Sequence, residues 1–183
     1  MNEKANRKKK RLFQSLGVVI VFLFLLRMFI FSNYEVDGES MMPTLQDGNR
    51  LLVNKLDSTV QKLERFDIVV FHGNHDDYVK RIIGLPGEKI EYIDDVLYVS
   101  DKPVEEPFLQ QYKMRLVGSN LTGDFSLEEV TGELTVPDGH VFILGDNRLG
   151  SWDSRHYGFI PVDQIVGTVN VRYWPIKKFE LIY

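Results

Sequence analysis

The heptapeptide YVKRIIG, Tyr78 to Gly84, sets the reading of the whole chain. With a period of two, Tyr78, Lys80 and Ile82 share one face, while Val79, Arg81 and Ile83 share the other. β-Branched and aromatic residues dominate and the turn GLPGE (84–88) follows, so the segment reads as a strand. Each face carries one cation among apolar neighbours. On an ordinary edge strand such charges only discourage pairing with other chains. The alternative is that one cation is buried for its chemistry. Arg81 keeps its proton in any environment and cannot be a base. Lys80 differs, because desolvation disfavours the ammonium, lowers its pKa and leaves an amine able to accept a proton.

The segments around it have the same character. RLLVNKL (50–56), FDIVVF (66–71), KIEYID (89–94), VLYVS (96–100), HVFILG (140–145), GTVNVRYW (167–174) and KFELIY (178–183) all read as strands. QDGN, IDD, VPDG and WPIK supply turns between them. One helical turn fits PVDQIVG (161–167), and beyond the N-terminal segment no helix exceeds two turns. A mostly β fold follows. Residues 101–139 are more acidic and poorer in strand signal, with KPVEEPF, VGSNLTGD and SLEEVTGE, and read as an insertion or smaller subdomain between two halves of a β core.

A length of 183 residues with 44% hydrophobic content supports one domain of ordinary size. The absence of cysteine removes disulfide scaffolds, thiolate metal sites and cysteine nucleophiles. His72, His75, His140 and His156 show no metal-ligand spacing, so no metal site is expected.

Charge is unevenly placed. Residues 1–31 hold seven Lys/Arg and one acid, so a chain of net −4 carries +6 at its head and −10 over the rest. A nucleic-acid binder would concentrate its cations on a folded face, so none is expected as partner. The head instead precedes a membrane segment: Leu12 to Phe31 is apolar except for Gln14, Ser15 and Arg27, and twenty helical residues cover roughly 30 Å. KKKR (8–11) is expected to stay cytoplasmic and the body, 32–183, to lie on the outer face of the cell membrane. A cleaved export signal would show small residues at alternate positions soon after the apolar run. FSNYEVD has no such pair, and Ala5 is the only alanine, so an uncleaved single-pass anchor is favoured.

Two further stretches complete a constellation. GESMMPTLQDG (38–48) holds a serine in turn chemistry that would otherwise mean only a turn. GDNRLGSWDSRHYG (145–158) follows the apolar strand HVFIL and packs two acids, two arginines, an asparagine and two serines into one loop. A plain long loop is one reading; a rigid hydrogen-bonded support for a site is the other.

SMMPTL (40–45), RFDIVVF (65–71), YVKRIIGLPGE (78–88) and GDNRLGSWDSRHYG (145–158), in that order behind an N-terminal anchor, resemble the boxes of bacterial type I signal peptidases, Gram-positive branch. The resemblance implies an antiparallel β-sheet catalytic core with a small inserted subdomain. It makes Ser40 a nucleophile and Lys80 its general base, with the Ser151 hydroxyl orienting the lysine amine. Asp146 matches an acid that pairs with Arg81, and Asp153 with Arg155 a second supporting ion pair. The Ser40 amide is one oxyanion donor. Such a dyad requires no metal or cofactor. The implied partners are the bilayer and preprotein signal peptides cut after small-x-small sites. The substrate would be held as an added strand between Tyr34–Gly38 and Asp77–Val79, with Val36, Gly38, Tyr78 and Val79 at the binding surface.

One departure concerns Gly38, where many relatives carry a serine whose hydroxyl completes the oxyanion hole. The expectation is that the donor role is filled otherwise and that Gly38→Ser is tolerated; the alternative is a backbone with positive φ. Two other functions compete. A self-cleaving Ser/Lys repressor would need a DNA-binding head and no membrane segment. A non-catalytic binding relic should have lost Ser40, Lys80 or Ser151, and all three are present.

Overall fold

The computed structural model describes residues 14–22, 27, 29–57, 62–114 and 120–182. The basic tail 1–11 lies outside the described residues, as does part of the expected anchor. Residues 14–22, 27 and 29–30 are helical, and among the described residues no helix is long and apolar enough to cross a membrane.

The larger sheet contains β1 (Phe31–Glu35), β2 (Arg50–Asn54), β3 (Ile68–His72) and β4 (Asp77–Gly84) from the first half of the chain. The second half of the chain supplies β9 (His140–Leu144), β10 (Ile160–Pro161), β11 (Ile165–Trp174) and β12 (Glu180–Leu181). Their order is β1-β2-β11-β3-β4-β9-β10, with β12 beside β11, and all pairings are antiparallel. A second sheet, ordered β7-β6-β5-β8, holds β5 (Ile90–Ile93), β6 (Val96–Val99), β7 (Lys102–Val104) and β8 (Phe125–Ser126). Of residues 101–139, β7 and β8 belong to this sheet, together with β5 and β6 from before that segment.

Two strand features depart from the sequence reading. Phe31, expected as the last residue of the apolar segment, and Ser32–Glu35, given no element there, form a strand, with Tyr34 paired to Leu51 and Phe31 to Asn54 along β2. KFELIY forms only a two-residue strand, since Pro175 and the helical turn Ile176–Lys178 occupy the chain before it.

Burial along β4 rises from exposed Asp77 and Tyr78, through half-buried Val79, to residues buried throughout from Lys80 to Gly84. Ile82 packs with Val69, Phe71, Val141 and Ile143 on one face of the sheet. Val79 lies on the other, against a cluster that includes Val36, Met41, Leu45 and Val70. Ile83 joins a third cluster with Ile90, Tyr92, Leu97 and Phe142, which fastens the second sheet to the first. Burying side chains of this size stabilises by roughly 1.5–3 kcal/mol each. β4 is thereby held on both faces, and the cations it carries are held with it.

Candidate active site

β4 delivers Lys80 and Arg81 to different neighbours. β9 pairs with β4 only from Arg81 onward, at Arg81↔Leu144 and Ile82↔Ile143. Residues 77–79 therefore pair with β3 alone and leave one edge of β4 open among the described residues. β1 is likewise an edge strand, with β2 as its only strand neighbour among the described residues.

The chain leaves β1 into a tight loop. Val36 N donates to Asn49 O at 2.8 Å and Gly48 N to Val36 O at 2.9 Å, which closes the loop's base. Within it, Gly38 N donates to Asp47 Oδ1 at 2.9 Å. Met41 and Leu45 are buried and anchor the loop in the core, and Val36 is buried with them. The loop after β9 grips its other side: Asn147 N donates to Ser40 O at 3.0 Å and Asn147 Nδ2 to Glu39 O at 3.2 Å.

This places Ser40 at Lys80. Lys80 Nζ lies 2.7 Å from Ser40 Oγ and donates to Val79 O at 3.1 Å. Lys80 is only 3% exposed. Burial lowers its pKa to about 8, with Asp153 and Asp146 pulling it partly back up. The amine fraction near neutral pH is thus a minor one but far larger than that of an ordinary lysine, and it lies beside a hydroxyl.

The other expected residues gather behind this pair. Arg81 grips Asp146 through Nε and Nη2 at 2.8 and 2.6 Å, and both residues are buried. Arg155 holds Asp153 at 2.8 and 2.9 Å, and Asp153 Oδ2 also accepts from Gly145 N at 3.0 Å. Ser151 is buried against Gly145: a Cβ on that glycine would fall 2.1 Å from Ser151 Oγ and 2.5 Å from Ser40 O, so the serine, the glycine and the Ser40 backbone interlock. Ser151 Oγ makes no hydrogen bond, and the bond to the lysine amine implied by the resemblance is not formed. Tyr78 and Val79 flank the open edge.

Gly38 corrects one expectation. Its φ of 88° falls where residues with a Cβ are strained, although the space around it is open. Backbone shape therefore accounts for the glycine, and a serine there is not free of strain.

Several contributors went unnoticed in the sequence. Arg148 is 2% exposed and reaches Gly145 O at 3.1 Å, Tyr92 Oη and Thr122 Oγ1 at 2.9 Å, and Glu106 Oε1 at 2.5 Å. It ties the loop carrying Ser151 to the second sheet. The acid in EEPF, next to a proline and beside an apolar run, was the available signal. At the open end of the cleft, Tyr34 Oη donates to Asp77 Oδ2 at 2.9 Å and joins the β1 edge to β4. Burial, then Asp77, raises the Tyr34 pKa to about 12. Among the described residues no cluster of acids or histidines has the arrangement of a metal site.

Known proteins share this framework. Residues 9–174 match the family Signal peptidase, peptidase S26. Signal peptidase I of Bacillus caldolyticus is 58% identical over 163 residues, spanning 88% of this chain and 90% of that protein. Signal peptidase I V of Bacillus subtilis (strain 168) is 51% identical over 164 residues, 88% of this chain and 98% of that one. The crystal structure of a signal peptidase I from Enterococcus faecalis V583 superposes with a TM-score of 0.57 at 43% identity, covering 60% of this chain and 98% of that one. With the matched segment running from the basic head through β11, the chain belongs to the signal peptidase family, peptidase S26.

Proposed function

We propose that this signal peptidase removes N-terminal signal peptides from exported preproteins by a Ser40/Lys80 dyad, cutting after small-x-small segments such as Ala-x-Ala. The observation that carries the mechanism is the 2.7 Å separation of Lys80 Nζ and Ser40 Oγ at a buried position.

In the acylation step the Lys80 amine takes the Ser40 proton as Oγ attacks the scissile carbonyl carbon. The resulting oxyanion is stabilised by the Ser40 amide. The lysine then passes its proton to the leaving amine as the C–N bond breaks, which frees the mature protein and leaves a serine ester. A water deprotonated by the same amine attacks the ester and releases the signal peptide. Ser40 Oγ and Val79 O hold the amine, while the Arg81–Asp146 and Asp153–Arg155 pairs hold the strand and loop that carry the reacting groups.

The substrate lies as an extended strand between Tyr34–Gly38 and the open stretch Asp77–Val79. Main-chain hydrogen bonds hold it, and the surface formed by Val36 and Val79 admits only small side chains. The Tyr34–Asp77 hydrogen bond between the two open edges and the packing of half-buried Val79 against the cluster that holds Val36 support this arrangement. The apolar segment before β1 anchors the enzyme once in the cell membrane, with the basic tail cytoplasmic and the body from β1 onward on the outer face. Anchoring keeps the cleft beside the bilayer that holds the preprotein's apolar segment, which raises effective concentration.

The test is Ser40→Ala and Lys80→Ala in detergent, with a preprotein carrying one Ala-x-Ala site and its Ser40-dependent product identified by mass. Loss of cleavage in both variants is expected. Cleavage at the wild-type rate by both refutes the dyad.

A further inference from the structure

The loop between β3 and β4, the short helix Ser154–Tyr157 and the turn Val162–Gln164 contribute to a groove of about 480 Å³, a size ordinary for small-molecule sites. Three aromatic rings open onto it: Tyr78 is 44%, Tyr157 41% and Trp152 71% exposed. Two of them are braced from behind. Trp152 stacks one face on His156, with centroids 4.2 Å apart and planes 17° from parallel, and its other face is free. The Tyr78 ring lies on Gly73, where a Cβ would fall 2.3 Å from its Cε2, and its centroid is 5.8 Å from that of Phe71. Gly73 N donates to Asp76 O at 2.9 Å, which closes the loop that carries Asn74 and His75.

The polar groups between the rings decide the class of ligand. Among the described residues no lysine, arginine, aspartate or glutamate lines the groove. Asp77, at the base of the loop, is already engaged by His72 Nδ1 at 2.6 Å and Tyr34 Oη at 2.9 Å. A phosphate or a charged peptide therefore meets no fixed counter-charge there. An apolar chain could cover the rings but would also strip water from Asn74, His75 and Gln164. Their side chains make no hydrogen bond among the described residues, so that desolvation would go uncompensated. A sugar ring meets both demands. Its C–H groups, weakly positive, lie against the negative face of an aromatic ring, and its hydroxyls bond to amide and imidazole groups.

We propose that this groove binds a neutral saccharide, with one sugar ring stacked on the free face of Trp152 and its polar substituents bonded to Asn74, His75 and Gln164. An N-acetylated sugar suits the site best, because its acetamide group both donates to and accepts from the side-chain amides. Rings braced by His156, Gly73 and Phe71 lose little freedom when a ligand binds, which favours affinity. The inference does not depend on the Ser40/Lys80 assignment.

The experiment titrates full-length protein, in a detergent without a sugar headgroup, with the β-1,4-linked trimer of N-acetylglucosamine and follows the indole N–H resonances. The chain has two tryptophans, Trp152 and Trp174, so Trp152→Phe assigns both signals. A saturable shift of the Trp152 signal is expected, with Kd on the order of 1 mM, and none at Trp174. Calorimetry with the same trimer should show binding weakened at least about tenfold in Trp152→Ala and recovered in part in Trp152→Tyr. Gln164→Leu, on another wall, should weaken it about fivefold through the lost hydrogen bond. Thermal midpoints near that of the wild type establish that each variant is folded. No saturable shift at ten times the expected Kd overturns the proposal, as does binding that Trp152→Ala and Gln164→Leu both keep. A capped Leu-Phe-Leu peptide that moves the Trp152 signal where the trimer does not also overturns it, and makes the groove a site for apolar chains.

Discussion

Arg81 and Asp146 face each other as a two-pronged ion pair, with Nε and Nη2 of the arginine on the two carboxylate oxygens at 2.8 and 2.6 Å. Side-chain exposure is 4% for the arginine and zero for the aspartate. The guanidinium also stacks on Phe108, 3.9 Å from its centroid, and donates to Phe66 O at 2.8 Å. A charge adjacent to Lys80 in sequence is thus spent on clamping β4 to the loop after β9.

Removing one partner leaves the other charged and buried. Asp146→Ala is expected to lower unfolding free energy by about 3–5 kcal/mol, read from urea denaturation of the β domain in the full-length protein. Replacing both residues with apolar ones of similar size should recover much of that loss. A single variant as stable as wild type would mean the pair contributes nothing to holding the strand.

Lys80 should make both catalysis and stability depend on pH. With its folded pKa near 8, kcat is expected to fall as pH drops through that value, because the proton acceptor is lost. Its folded pKa lies below the ordinary lysine value, so the unfolded chain binds more protons between about 8 and 10.5. Stability should therefore rise with pH across that window, by up to about 3 kcal/mol, and the rise should shrink in Lys80→Met. Lys80→Arg should be inactive while folding, since a guanidinium cannot accept the proton. Cleavage by that variant, or a flat pH–rate profile, would make Lys80 a structural cation.

Arg148, in the loop after β9, reaches the second sheet at Tyr92 and pairs with Glu106 beyond β7, and the side chains of this ion pair are at most 1% exposed. Arg148→Lys keeps the charge but cannot reproduce four separate contacts, so it is expected to lower Tm and kcat together. Glu106→Gln should reproduce the stability loss more mildly, because an amide oxygen can still accept from Arg148. Thermal unfolding and turnover measured on the same preparations check this. Normal values in both variants would leave the loop positioned by other contacts.

At Gly38 the positive φ predicts that Gly38→Ser loses about 1–2 kcal/mol of stability, with Gly38→Ala losing as much. Denaturant titration of the three proteins is the measurement. A serine variant as stable as wild type would show that the backbone can leave this conformation without penalty.

The charge asymmetry predicts topology. Protease added to spheroplasts should digest residues 32–183 and leave the +6 head protected, and removing KKKR should make orientation less uniform. A C-terminal reporter active only in the cytoplasm would contradict the anchor's orientation.

Much of the β framework was legible in local patterns. The alternation in YVKRIIG is enforced by strand stereochemistry, so the two cations had to fall on opposite faces wherever the strand packed. Lysine, unlike arginine, was equally certain to be the residue able to titrate. FSNYE was not legible, because its strand state depends on pairing with β2 rather than on its own residues. The positive φ of Gly38 was hidden for a related reason, since glycine serves turns, close approaches and flexible links alike.

What the sequence alone determined is therefore the strand-rich class, the uneven charge and the residue types able to do the chemistry, all consequences of covalent structure and short-range geometry. Only the tertiary structure decided which of them meet. Lys80 and Ser40 are 40 positions apart, and Arg148 bonds to residues 26, 42 and 56 positions away. No local period spans such separations. The contacts exist because the open half of β4, the loop after β1 and the second sheet are closed around shared apolar clusters, and burying those clusters fixes which polar groups are left facing one another.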